Sequence, residues 1–69
     1  MNLDLTRLRH ATLYKPSSPP QIRIRLGIAR ADHTELCQEL VQLSERGVLR
    51  QRRVRDGGAE YVAFEWGGA

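Results

Sequence analysis

One cysteine, one lysine and no apolar run of membrane-spanning length set the first limits on this chain of 69 residues. A lone thiol excludes an internal disulfide, and the Cys and His residues are too sparse for a structural zinc site. Without the ~20 consecutive apolar residues of a membrane helix, no span is expected. The first residues lack the long apolar core of a secretory signal. An unpaired thiol suits a reducing compartment, so a cytoplasmic location is expected. Internal repeats and low-complexity tracts are absent. So are a nucleophile–base–orienter set, paired catalytic carboxylates and any cofactor fingerprint, and no enzymatic activity is expected. Gly57-Gly58 is not a phosphate loop, because no helix follows to present its N-terminus.

The length fits a single domain over 1–69 with a small core. A chain of this size buries only about 60% of the surface that its unfolded form exposes. Helix and hairpin packing must therefore hold the fold.

Charge is what the chain has in quantity. Its formal net charge is +3 and its pI is near 9.8, which suits a polyanionic partner. Distribution says more than the total. Residues 32–45 carry Asp32, Glu35, Glu39 and Glu45 without a Lys or Arg, whereas residues 46–55 carry Arg46, Arg50, Arg52, Arg53 and Arg55 without an acid. The preceding segment adds Arg7, Arg9, Lys15, Arg23, Arg25 and Arg30 against Asp4 alone. Arginine, which dominates this set, presents a planar fork matched to phosphate and guanine.

Leu5, Leu8 and Thr12 recur at helical spacing, which predicts a first helix over residues 3–14. Asp4 suits its start and Lys15 its end, and Pro16 disfavours continuation. Residues 16–20, Pro-Ser-Ser-Pro-Pro, form a rigid connector. Residues 21–28 support two readings. Ile22, Ile24, Leu26 and Ile28 alternate with Arg23, Arg25 and Gly27 as in a strand, yet Pro19 and Pro20 suit the opening of a short helix.

The next element is a helix over 32–46. Asp32 is placed to cap it and Glu35 to complete a capping box. Leu36, Leu40 and Leu43 form its apolar stripe, widened by Cys37 and Val41. Gly47 supplies a left-handed ending, with Val48 packing back on Leu43. Two β-prone runs then flank Asp56-Gly57-Gly58-Ala59, which predicts a hairpin over 48–66. A Gly57-Gly58 loop sets Val54 opposite Tyr61, Gln51 opposite Phe64, Arg50 opposite Glu65 and Leu49 opposite Trp66.

This order resembles the winged-helix transcriptional regulators. The resemblance is carried by the run Gln21-Ile22-Arg23-Ile24-Arg25-Leu26-Gly27-Ile28 and by Leu40-Val41-Gln42-Leu43-Ser44-Glu45-Arg46-Gly47-Val48-Leu49. In that family the first run is a helix ending L-G-[IL]. The second is the end of the recognition helix, of the form L-x-x-L-x-x-[RK]-G-[LV]-[LV]. Leu26 and Leu43 lie about one helical turn farther apart than in the compact pattern. Either the connection over residues 30–33 is longer or the recognition helix begins earlier.

The resemblance implies an α+β winged-helix domain of three helices, or two plus a short strand, closed by a C-terminal hairpin wing. It further implies sequence-specific binding of double-stranded DNA by a transcriptional regulator of bacterial or phage type. His33, Thr34, Glu35, Gln38 and Gln42 would then face the major groove. Arg23, Arg25 and Arg30 would touch phosphate, and Arg50, Arg52, Arg53 and Arg55 would grip the flanking backbone.

Plainer roles stand beside these. Glu35 suits a cap, the hairpin arginines guard a strand edge against aggregation, and Tyr61, Phe64 and Trp66 suit a core as well as a stacking platform for single strands. His33 and Cys37, four apart, can place two metal ligands on one helix face, with His10 the one obvious third ligand, and a set this small is more often coincidence. An acidic recognition helix is unusual for a duplex binder. The alternative is therefore a protein-interaction module that docks a partner on that helix. Leu3, Leu5 and Leu13 offer a self-association surface for a homodimer.

Overall fold

The computed structural model describes residues 2–68. The elements run α1 (Leu5–Thr12), α2 (Pro19–Leu26), a 3-10 turn (Arg30–Asp32), α3 (His33–Glu45), β1 (Leu49–Asp56) and β2 (Ala59–Trp66). The fold is α+β, three helices and a two-stranded antiparallel hairpin, an arrangement compatible with a small winged-helix domain. Among the described residues no helix is long and apolar enough to cross a membrane.

The first helix is shorter than its apolar spacing suggested. Asp4 adopts an extended backbone and its Oδ1 accepts the N–H groups of Thr6 and Arg7 at 3.0 and 3.3 Å. As N-cap it leaves Leu3 outside the helix. At the other end Leu13 and Tyr14 are exposed, so nothing apolar draws the helix onward.

Residues 21–28 resolve as helix. Ser18 accepts from the Gln21 N–H, Gln21 Oε1 accepts from the Ser18 N–H, and Pro19 occupies the first helical position. This local chemistry prevails over the alternating pattern because the alternation does not match burial: Ile22 is buried whereas Ile24 is 68% exposed. Gly27, with φ of 68°, ends the helix. Its N–H donates to Ile24 O and that of Ile28 to Arg23 O, the paired bonds of a Schellman ending.

The third helix departs from expectation at its start. Asp32 makes no side-chain cap hydrogen bond, so the box with Glu35 is not completed. The reason is the 3-10 turn. It holds Asp32 at φ −96° and ψ 10°, with its N–H on Ala29 O, rather than in the extended conformation that a capping side chain requires. This turn also supplies the longer connection that the Leu26–Leu43 spacing demanded. The far end follows expectation. Gly47 has φ of 82°, Val48 N–H donates to Leu43 O and Gly47 N–H to Ser44 O.

The hairpin adopts the expected register throughout, with Leu49 opposite Trp66, Gln51 opposite Phe64 and Val54 opposite Tyr61. Gly57 and Gly58 both have positive φ, as a type I′ turn requires. The connector has a part that its composition did not announce. Ser17 pairs with Phe64 through both backbone bonds, 2.9 and 2.8 Å, so β2 has β1 on one side and Ser17 on the other.

Leu8, Ile22, Leu36, Leu40, Leu43, Leu49 and Phe64 form the buried core, with Leu3, Leu26, Ile28, Val48 and Trp66 packed around it. Each of the three α-helices and both strands contribute, so the apolar seam of α3 joins the base of the hairpin to α2.

Candidate functional site

Thr34, Gln38 and Gln42 are exposed and succeed one another at four-residue intervals along α3. Each step of four advances about 40° around the helix, so the three lie along one gently slanting strip. They line a shallow open furrow with Cys37, Val41 and Glu45. Leu36, Leu40 and Leu43 hold the opposite face in the core. The strip thus offers neutral hydrogen-bonding groups, with Val41 40% exposed among them. Glu35 is exposed on the adjoining side of the helix.

His33 does not join that strip. It lies about 100° of helical rotation behind Thr34, is half-buried, and lines a notch of about 250 Å³ with Pro20, Arg23 and Arg30. Its Nε2 stands 3.5 Å from the Cys37 Sγ. Arg23 is anchored by a bond from one guanidinium nitrogen to Ile28 O at 3.3 Å. The 3-10 turn carries Arg30 to the same notch. Two arginines and a histidine from three consecutive elements therefore meet beside the start of α3, with no acid among the lining residues.

Arg25 is not part of this group. Its guanidinium donates to Ala11 O at 2.8 Å and to Ser17 Oγ at 2.9 Å, which turns it toward α1. The expected trio Arg23, Arg25 and Arg30 is thus divided between two sides of α2. Two residues along a helix means about 200° of rotation, and the alternating spacing that suited a strand separates these side chains once the segment is helical.

The hairpin arginines also divide. Neighbours along a strand point to opposite faces, which places Arg50 and Arg52 on one face and Arg53 and Arg55 on the other. All four are exposed. Arg52 Nε lies 2.6 Å from Glu65 Oε1, and Arg53 and Arg55 flank Glu60 at 3.5 and 3.9 Å. Four arginines against Asp56, Glu60 and Glu65 leave the hairpin with one net positive charge. The run over residues 46–55 looks free of acids in sequence because its compensating charges arrive on the return strand. The register itself carries that signal, since it sets Glu65 opposite Arg50 and Glu60 opposite Arg55.

Phe64 is buried and Trp66 packs on the core, which removes two of the three hairpin aromatics from any stacking platform. Tyr61 is half-buried opposite Val54. Among the described residues no three His, Cys, Asp or Glu side chains gather as metal ligands. His10, the candidate third ligand to His33 and Cys37, lines a different cleft with Arg7 and Arg25.

No family model, curated protein or solved structure matches this chain.

Proposed function

We propose that this chain is a DNA-binding module, not an enzyme, which lays α3 in the major groove of double-stranded DNA as a sequence-specific transcriptional regulator does. Thr34, Gln38 and Gln42 present donors and acceptors to base edges, and Gln is suited to bidentate contact with adenine N6 and N7. Arg23, Arg30 and His33 hold a backbone phosphate beside the start of the helix. The exposed arginines of the hairpin contact flanking phosphates, exchanging weak surface pairs for the denser charge of DNA. The observation that carries this reading is the neighbourhood of two surfaces. A strip of neutral hydrogen-bonding side chains runs along α3, and an acid-free cationic notch lies beside the same helix's first turn.

Duplex binding measured across a salt series tests it. Arg23→Ala with Arg30→Ala should weaken binding to all duplexes and lower the salt slope by about one, for the single phosphate left without its arginines. Gln38→Ala should cost about 1–3 kcal/mol at a selected site and little at random sequence. Absence of duplex binding at low salt overturns the proposal.

A second reading has its own support. Val41 and Cys37 share the α3 furrow with Glu45, an apolar and acidic mixture suited to a basic protein partner. Glu45→Lys, within that furrow, separates the two. It should leave duplex binding intact or tighter in the first case and abolish partner binding in the second.

A further inference from the structure

Arg7 and Arg9 of α1 and Arg25 of α2 stand apart from the cationic notch beside α3. Between residues 2 and 31 six basic residues face a single acid, Asp4. That carboxylate accepts the first backbone N–H groups of α1. Arg7, His10 and Ala11 share one face of α1 at three- and four-residue spacing. With Arg25 and Leu26 from the last turn of α2 they line a cleft of about 330 Å³.

The two guanidinium groups are held in a reciprocal arrangement. Arg25 of α2 donates to Ala11 O in the last turn of α1 at 2.8 Å, and Arg7 of α1 donates to Arg25 O in the last turn of α2 at 3.5 Å. Each helix thus satisfies a C-terminal carbonyl of the other. Arg25 is fixed further by Ser17 Oγ at 2.9 Å. Ser17 is itself buried, bonded through its hydroxyl to Ala11 O and through its backbone to Phe64. Carbonyl capping accounts for one terminal nitrogen on each arginine. A guanidinium has five N–H donors, and among the described residues neither arginine has an ion-pair partner. The helix ends offset about half a charge each, against two full positive charges and an imidazole.

We propose that this cleft is a phosphate-binding site, in which Arg7 and Arg25 fork onto the anion, His10 adds a third donor, and Ala11 and Leu26 form the apolar floor. Arg25, anchored on Ala11 O and Ser17 Oγ, loses little freedom on binding, and the planar forks of both arginines match phosphate oxygens. The site does not rest on the α3 reading. Its phosphate comes either from a free phosphorylated ligand or from a nucleic-acid backbone that passes α1.

The test is a titration of the full chain with inorganic phosphate, followed by NMR of backbone amides, arginine side chains and the His10 ring. Sodium chloride at matched ionic strength is the control. Saturable shifts confined to Arg7, His10, Ala11, Arg25 and Leu26 are expected with phosphate. Arg7→Ala should weaken them roughly tenfold, the worth of one charge-assisted hydrogen bond. Arg7→Ala and His10→Ala serve as variants because Arg25→Ala also removes the bonds to Ala11 and Ser17. Shifts that match those in chloride, or that persist unchanged when Arg7→Ala and His10→Ala are combined, overturn the site. A parallel titration with random duplex identifies the source. Movement of the cleft on duplex addition, abolished in Arg7→Ala, assigns the phosphate to a backbone. Movement with inorganic phosphate alone assigns it to a free ligand. Thr34, Gln38 and Gln42 report separately on α3, so either proposal can fail without the other.

Discussion

Replacing Gly67 by alanine should destabilise the domain even though this glycine has an ordinary φ. A β-carbon built there lies 2.5 Å from Gly47 O, 3.0 Å from Val48 O and 3.3 Å from the Val48 carbonyl carbon. All three are backbone atoms at the joint between α3 and β1, so no side chain can swing aside. Relief requires the end of β2 to withdraw, and withdrawal breaks the bond from Gly67 N–H to Val48 O, which is 2.8 Å long. The broken bond costs about 1 kcal/mol and the forced shift about 1–3 kcal/mol. Stiffening of the unfolded chain returns about 0.4–1 kcal/mol. The net loss is about 1–3.6 kcal/mol, a large share for a domain near the lower end of ~5–15 kcal/mol. At roughly 4–8 °C per kcal/mol for this size, melting should fall by about 4–29 °C. Urea unfolding followed by far-UV circular dichroism, with fluorescence of Trp66 as a local probe, measures it. A variant equal to or more stable than the parent would refute the close approach.

Two further outcomes check features that distinguish one element from another. Ser18→Ala should cost about 1 kcal/mol by removing the cap of α2, whereas Asp32→Ala should cost under about 0.5 kcal/mol, since its side chain caps nothing and acts only on the helix dipole; denaturant melts compare them. Glu60→Gln releases Arg53 and Arg55 from their shared carboxylate. It should tighten duplex binding and steepen its salt slope while changing stability by no more than about 1 kcal/mol, measured by salt-dependent binding and thermal melts.

Much of the architecture is written in neighbouring residues. The ending of α3 at Gly47 and Val48 depends on residues within one turn of one another. The hairpin register follows from a two-residue glycine loop that leaves no slack between its arms. Ser18, Pro19 and Gln21 carried the signal for α2 as well, in a capping box that the alternation of Ile22, Ile24 and Leu26 obscured. The missing cap at Asp32 is a different matter, since it follows from a 3-10 turn that the sequence pattern does not distinguish from the first turn of a helix.

Local order along the chain therefore accounts for the three helices, the hairpin and the leucine seam of α3, because caps, turns and periodicity act over four or five residues. The placement of the charges does not follow from such short distances. Packing α1 against α2 draws Arg25 onto Ala11 and Ser17, the 3-10 turn brings Arg30 beside Arg23 and His33, and the return strand sets Glu60 and Glu65 against the arginines of β1. Each of these meetings joins residues that are remote in sequence or set at an angle to one another, and their geometry exists once the core has closed.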